Sequence, residues 1–184
     1  LGVDRVIWLN EHDFAGSDTV ATSYILAQAI MRITDYDLIV CGEKAIDGET
    51  GQVPAGLAER LHVRYVGGVK EIFELTKDCA LLQTRNEQYD TTIRVQLPAV
   101  LAFSEFTTTA NKVSLVSLKR AQRKEIEVFN SKDLNIDVSM CGMKGSKTKV
   151  LSINSSFEKK DGIKVVGDTK KKAELIKKIL IGKG

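Results

Sequence analysis

Several residue types that carry specialised chemistry are scarce in this chain. It contains three cysteines, two histidines, two prolines and one tryptophan among 184 residues. The cysteines form no C-x-x-C pair and no zinc-ligand spacing, which favours a reduced, intracellular chain and predicts a cytoplasmic location. The histidines have no second ligand at metal-binding spacing, and no G-x-S-x-G or Cys–His signature is present. We therefore predict no catalytic residue and no metal site.

Long apolar runs and a basic leader are also missing. No stretch reaches the length of a membrane span, so we predict none. Residues 1–10 lack the basic region and cleavage site of a signal peptide. They begin with Leu-Gly-Val-Asp, a phrase typical of a helix exit running into a strand, so we expect an N-terminally truncated chain. A composition of 43% hydrophobic and 28% charged residues indicates a soluble globular protein with a sizeable core.

The net charge of +3 is unevenly distributed. Lysine and arginine concentrate in residues 112–124 and 159–183. Aromatic residues make up 6% of the chain and do not interleave with these basic runs. Solvated helix faces explain the runs better than nucleic-acid binding does. We therefore predict no nucleic-acid partner.

Apolar periodicity predicts alternating strands and helices, then consecutive strands. This order indicates a doubly wound, mostly parallel, Rossmann-like α/β sheet with an antiparallel extension. A lysine-rich helix near the end predicts a C-terminal helical arm, so we divide the chain into an α/β domain at 1–150 and an arm suited to docking a partner at 151–184. Gly142 to Ser146 reads as a flexible break. The predicted strands are Arg5–Leu9, Leu38–Val40, Ala80–Thr84, Thr91–Leu97 and Ala99–Phe103, and the helices are Asp18–Ile33, Val53–Leu61, Leu115–Lys124 and Asp168–Ile181.

The stretch from Asp37 to Leu61 is the most informative. It reads as a buried strand, a glycine- and acid-rich loop, and a helix. The unpaired N–H groups at a helix start favour a phosphate, and Thr50 can cap the helix or bond a phosphate oxygen. The loop is neither G-x-G-x-x-G nor G-x-x-x-x-G-K-[ST]. Spacing alone is equally compatible with nucleotide binding and with an ordinary capped loop.

Four blocks of sequence give a more specific indication. The segment C-G-E-K-A-I-D-G-E-T-G-Q-V at 41–53 resembles the C-G-x-x-A-I-D-x-[DE]-T-x-Q-V segment of the electron transfer flavoprotein beta subunit family. Phe14–Thr22 is similar to the family's F-A-G-[SA]-D-T-x-A-T, Leu97–Val100 to its L-P-A-V strand, and Lys144–Val150 to its K-G-S-x-T-K-V. The blocks occur in family order across almost the whole chain.

This resemblance implies an electron-carrying subunit and not an enzyme. In the family, a redox-active FAD is held mainly by an alpha subunit, and the beta subunit binds AMP or a second FAD. The form of the 47–53 loop favours FAD, and with it a role in electron bifurcation. The resemblance implies cofactor binding by Cys41, Gly42, Asp47, Gly48, Glu49, Thr50, Gly51, Gln52 and Val53. A second loop contributes Phe14, Ala15, Ser17 and Asp18.

The resemblance also implies two kinds of partner. One is an alpha subunit that forms a heterodimer with this chain, and the other is an acyl-CoA-type or other flavin dehydrogenase. The family's partner-recognition loop contains N-E-P-R, but residues 103–112 here lack that proline and arginine. We assign partner recognition to Glu105, Phe106 and Thr107, which occupy this altered loop.

Two other classes of function remain open. A stand-alone adenine-nucleotide-binding regulatory domain could share the fold and have no redox role. An enzyme acting on a bound nucleotide would need a catalytic constellation that the sequence lacks. The Lys144–Val150 block and the lysine-rich last helix favour the electron-transfer subunit, because a stand-alone domain would not need them.

Overall fold

The fold is an α/β sheet domain followed by a separate helix. A computed structural model describes residues 2–86, 88–104, 112–152 and 166–181. The backbone divides into two compact units, residues 1–149 and residues 150–184. No helix within the described ranges has the length and apolar content to cross a membrane.

The main sheet has five strands in the order β2–β6–β3–β4–β5. The first three of these run parallel, and β3, β4 and β5 pair antiparallel. This confirms the predicted parallel sheet with an antiparallel extension. Two further strands, β1 and β7, pair with each other in a small parallel sheet. The strands are β1 (Ile7–Leu9), β2 (Leu38–Gly42), β3 (Arg64–Leu75), β4 (Cys79–Arg85), β5 (Asp90–Gln96), β6 (Ala99–Phe103) and β7 (Glu127–Phe129).

Helix α1 lies between β1 and β2 in the chain, and α2 connects the parallel strands β2 and β3. Asp18 caps α1, as its sequence predicts. Helix α2 begins at the predicted residue with Pro54 in its first turn. Its N-cap is Gln52, and no side chain of a described residue caps it. Thr50 therefore does not cap α2, which corrects one of the two roles expected for it. The helices are α1 (Thr19–Ile33), α2 (Val53–Leu61), α3 (Leu115–Ala121), α4 (Ser131–Leu134), α5 (Gly142–Gly145) and α6 (Thr169–Ile181).

The central strand β6 separates two halves of the core. Successive side chains of a strand point to opposite faces, so an all-apolar strand indicates burial on both. Val100 packs with Ala27 of α1 and Leu57 of α2. Leu101 packs on the other face, in a cluster with Leu82 of β4. Four residues of β6, from 99 to 102, are completely buried.

The glycine-rich segment near residue 142 differs from its prediction. Residues 142–145 form α5, and Cys141 before them is buried. A Cβ on Gly145 would lie 2.0 Å from the backbone carbon of Met140. The expected flexible break is therefore wrong: the glycines here permit close backbone packing.

The described part of the second unit consists mainly of α6. None of its residues is buried, and most of its apolar positions are exposed, with Ile176 at 57% and Leu180 at 74%. Asp168 accepts a hydrogen bond from the Lys171 N–H at the start of this helix. The helix therefore has the predicted amphipathic pattern without a buried face.

Candidate functional site

The glycine- and acid-rich loop lies at the carboxyl end of the parallel strands. It begins directly after β2, where the Glu43 N–H donates to the Phe103 carbonyl of β6 at 2.9 Å. In open α/β sheets, ligands bind at this edge, outside the ends of the strands. The loop ends at Gln52, where α2 begins.

Four consecutive backbone N–H groups, where this loop meets α2, have no hydrogen-bond partner among the described residues. Within the described residues, no N–H group of residues 50–53 donates a hydrogen bond. Earlier in the loop the N–H groups are satisfied, since Gly48 donates to Asp47 Oδ1 at 2.8 Å and Glu49 donates to the Ala45 carbonyl at 2.9 Å. Residues 50–53, which lead into α2, therefore offer four adjacent donors to an anion beside the positive end of the helix dipole.

The two glycines of the loop have different roles. Gly51 has φ +65°, a conformation that favours glycine, and a Cβ there would lie 3.5 Å from the Glu43 carbonyl oxygen. Gly48 has no positive φ, and a Cβ on it would meet nothing within 4 Å. The shape of the backbone therefore needs glycine at 51 but not at 48.

The charged side chains of the loop are partly neutralised within it. Lys44 Nζ lies 2.8 Å from Glu49 Oε1. This hydrogen bond and the lysine charge lower the pKa of Glu49 against the opposing effect of desolvation. The Asp47 carboxylate accepts from the Gly48 N–H, so it braces the turn. These contacts leave the backbone donors of residues 50–53 as the anion-attracting feature.

The second loop singled out in the sequence lies beside the first. Asp18 Oδ1 accepts from the Val20 and Ala21 N–H groups at the start of α1. The Thr19 hydroxyl donates to Gln52 Oε1 at 2.9 Å and so joins the starts of α1 and α2. A cleft of about 440 Å³ lies between these two helices.

A third segment, the Lys144–Val150 block, packs against this second loop. Asp18 Oδ2 accepts from the Lys147 N–H at 2.6 Å and the Thr148 N–H at 3.0 Å, and the Asp18 N–H donates to Ser146 Oγ at 2.8 Å. Ser17 Oγ accepts from the Gly142 N–H at 3.1 Å. We call these contacts the Asp18 clip.

The Asp18 clip also sets the ionisation of its carboxylate. Burial alone would raise the pKa of Asp18, but the N–H groups of Ala21, Thr148 and Lys147 together lower it below its ordinary value. No spacing signal in the sequence indicates the clip, because its halves lie about 130 residues apart. In the sequence, the two halves of the clip are linked only by the family resemblance, in which both segments are motifs.

Of the other predicted residues, Cys41 and Gly42 lie at the end of β2. The Cys41 side chain is half-buried against the α1–α2 cluster, and burial raises the pKa of its thiol. A Cβ on Gly42 would meet nothing within 4 Å. In the second loop, the Phe14 carbonyl accepts from Ser17 Oγ, and Ala15 is exposed.

Tyr65 of β3 was not among the predicted site residues. Burial, followed by the nearby charges of Glu43 and Cys41, raises the pKa of its hydroxyl. The residue is 41% exposed, so its aromatic ring is accessible beside the loop. The predicted recognition residues Glu105, Phe106 and Thr107 lie outside the described residues.

Comparison with known proteins identifies similar sequences. The family model of the electron transfer flavoprotein domain matches residues 1–134. Protein FixA of Sinorhizobium fredii is 36% identical over 157 residues, covering 81% of this chain and 55% of that protein. Electron transfer flavoprotein subunit beta of Thermoanaerobacterium thermosaccharolyticum is 31% identical over 171 residues, covering 92% and 65%.

A further relative is the caffeyl-CoA reductase-Etf complex subunit CarD of Acetobacterium woodii. It is 31% identical over 169 residues, covering 92% of this chain and 64% of that protein. The chain thus spans between about half and two thirds of the length of these relatives.

Proposed function

Because the chain belongs to the electron transfer flavoprotein family, we propose that it is a beta-type subunit that holds an adenine nucleotide and works as an electron carrier. The observation that carries the proposal is the row of unpartnered N–H groups at residues 50–53, at the carboxyl edge of the sheet. A phosphate placed there would satisfy several donors at once, and the dipole of α2 would favour a negative charge at its start by roughly 0.3–1 kcal/mol.

The side chains around the loop fit a phosphate-bearing ligand. The Thr50 hydroxyl does not cap α2 and is available to donate to a phosphate oxygen. Gly48 and Gly51 place no side chain beside the donors. Asp47 and Glu49 would repel an anion, but Asp47 is turned onto the Gly48 N–H and Glu49 onto Lys44. The residues present therefore fit the phosphate part of AMP or FAD.

For the identity of the nucleotide we favour FAD over AMP. The two glycines leave room for a pyrophosphate and the remainder of a dinucleotide to leave the loop. A bound flavin supplies reversible electron uptake, whereas AMP is redox-inactive. The chain's own contribution is to hold the phosphates with residues 50–53. A second flavin in this subunit would accord with a role in electron bifurcation.

For partners we propose an alpha subunit and a flavin dehydrogenase of the acyl-CoA type. The relative named as a subunit of a caffeyl-CoA reductase-Etf complex supports a partner of this class. The exposed apolar positions of α6 and the lysines on the same helix give the arm a surface suited to docking on the alpha subunit.

The nucleotide content of the purified heterodimer tests the proposal. After denaturation we expect two flavins per heterodimer, measured by chromatography against standards. One flavin with one AMP would refute the second FAD and leave the adenine-nucleotide site intact. Absence of any nucleotide from this subunit, or a stable monomer beside a co-expressed alpha subunit, would contradict the proposed function.

A pair of substitutions at Gly51 tests the phosphate loop itself. Asn and Asp both tolerate a positive φ and have similar shapes, so they differ chiefly in charge. We expect Gly51→Asp to lose nucleotide almost completely and Gly51→Asn to retain most of it, with both chains folded by circular dichroism. Equal retention by the two variants would show that no phosphate lies at this position.

A further inference from the structure

A second cavity lies at the opposite end of the parallel strands. It has a volume of about 460 Å³. Asp37 lines it just before β2, and Arg64 lines it at the first residue of β3. Because the 43–53 loop follows the carboxyl end of β2, the two regions lie at opposite ends of this strand. We call this cavity the amino-end pocket.

Three cations line the amino-end pocket, and among the described residues they have no carboxylate partner. They are Arg64, Lys77 and Arg94. Arg64 Nη2 donates to Gln96 Oε1 at 2.7 Å, and Arg94 Nη1 donates to Cys79 Sγ at 3.3 Å. Within the described ranges, none of the three cations forms an ion pair. Neutral atoms therefore orient the two guanidinium groups while their charge stays unneutralised.

A different arginine shows what a paired cation looks like in the same sheet. Arg85 Nε lies 2.7 Å from Asp90 Oδ1, and Lys70 binds the same carboxylate at 3.1 Å. These contacts lower the pKa of Asp90 to about 2, with the Arg85 hydrogen bond as the largest cause. The cations of the amino-end pocket have no such partner among the described residues.

Two carboxylates also line the amino-end pocket. They belong to Asp37 and Asp78, so three cations face two acids. Neither carboxylate accepts a hydrogen bond from a described residue. The bonds at these positions go to the backbone carbonyls, from the Ala99 N–H to Asp37 and from the Leu97 N–H to Asp78. The pocket keeps an excess positive charge and free donors.

We propose that the amino-end pocket binds a phosphate group, either free or carried by a small organic molecule. Guanidinium groups present planar, forked donors that match phosphate oxygens, and Lys77 adds a third positive charge. The cavity volume falls in the range of small-molecule pockets, roughly 300–1,000 Å³. The proposal is independent of the nucleotide site, because the two share no residue.

The half-buried thiol of Cys79 provides a local probe of occupancy. In the assembled protein, its alkylation by neutral iodoacetamide is followed by peptide mass spectrometry during titration with inorganic phosphate or glycerol 3-phosphate. Chloride keeps the ionic strength constant. We expect saturable protection, with Cys79 alkylated at least about fivefold more slowly at saturation. Cys41, at the other end of β2, reports the nucleotide site in the same sample.

Three variants separate a built site from a general charge effect. Arg94→Gln should raise the phosphate concentration for half-protection about tenfold, because it removes a charge-assisted donor. Asp78→Asn should lower that concentration, because it removes a repelling charge. Arg120→Gln removes one exposed guanidinium from α3, outside the pocket, and should change nothing. Protection is compared as the ratio of rates with and without ligand, since Arg94 also contacts Cys79 directly.

The outcomes distinguish free phosphate from an organic phosphate, and a specific site from a general charge effect. Stronger protection by glycerol 3-phosphate than by inorganic phosphate identifies an organic phosphate as the ligand, and the reverse order identifies free phosphate. Unsaturable protection, or protection that is equal in wild type, Arg94→Gln and Arg120→Gln, overturns the proposal. Loss of nucleotide from the 43–53 loop would leave Cys79 protection unchanged, so failure of one site is distinct from failure of the other.

Discussion

The two ends of the parallel strands attract anions by different means. At the carboxyl end the donors are backbone N–H groups of residues 50–53, held by helix geometry and by a glycine at positive φ. At the amino end the charge comes from side chains that neutral atoms orient. Anion binding at the carboxyl end depends on the backbone conformation, whereas at the amino end it depends on the charged side chains. Substitutions at the first end should therefore affect both stability and binding, and those at the second should affect binding alone.

The largest effect is expected at Gly142, which supports the carboxyl end through the Asp18 clip. It has φ +54°, and a Cβ would lie 2.4 Å from the Asp13 carbonyl oxygen. We expect Gly142→Ala to lower the free energy of unfolding by about 3 kcal/mol or more, measured by urea denaturation. Gly48→Ala, in open space, should cost less than about 0.5 kcal/mol. Equal losses would show that the glycine positions do not differ as the backbone indicates.

The Asp18 clip should give the next largest effect. Asp18→Asn keeps an oxygen for the α1 cap but turns an amide N–H₂ towards the Lys147 and Thr148 N–H groups. We expect a loss of about 1–3 kcal/mol, measured by the same urea denaturation. Asp168→Asn, at the start of α6, changes a single-contact cap and should be nearly neutral.

The comparison of wild type with Asp18→Asn also predicts how the stability depends on pH. The pKa of Asp18 is lowered in the folded state, so its stabilisation is fully present above the unfolded value of about 3.9 and is lost as pH falls through the folded value. The stability difference between wild type and Asp18→Asn should therefore shrink as pH falls below about 4. A difference that stays constant to about pH 2 would contradict the ionised clip.

A smaller effect is expected at the contact between the starts of α1 and α2. Thr19→Val removes the hydroxyl that bonds Gln52 Oε1, an exposed contact of about 0.5–1 kcal/mol. We expect a slight loss of thermal stability and a few-fold weaker nucleotide retention. Thr169→Val, at the equivalent first position of α6, has no such bond within the described residues and should leave nucleotide retention unchanged.

The smallest stability effect is expected at the amino end. Arg94 is exposed, and among described side chains it hydrogen-bonds only to the Cys79 sulfur. Arg94→Gln should change the free energy of unfolding by less than about 0.5 kcal/mol, again in urea. A loss comparable to that of Asp18→Asn would erase the distinction between the two ends of the sheet.

Elements with a clear local sequence pattern were predicted with the correct bounds. Helix α2 and strand β6 begin and end where predicted, because Pro54 lies in the first turn of α2 and an unbroken apolar run fills β6. Strand β7 and helix α4 were not predicted. They are three and four residues long, too short for periodicity to register.

Only part of the candidate site could be predicted from the sequence. The 43–53 loop could be found from its composition and its resemblance to the family. The Asp18 clip and the approach of Tyr65 could not, because they depend on contacts between distant segments. The Gly142–Ser146 segment shows the same limit: glycines that suggest flexibility in isolation are fixed by the serine and aspartate of another loop.

Because β6 is buried on both faces, its amide hydrogens should exchange through a different opening motion from those of a surface helix. Its amides are paired on both sides, to β2 and β3, and residues 99–102 have no exposed surface. Deuterium can reach these amides only when the whole domain opens, whereas those of α3, which has no buried residue, exchange through local fraying. Exchange at β6 therefore reports the global free energy of the native protein without denaturant, and exchange at α3 reports only the motion of the surface.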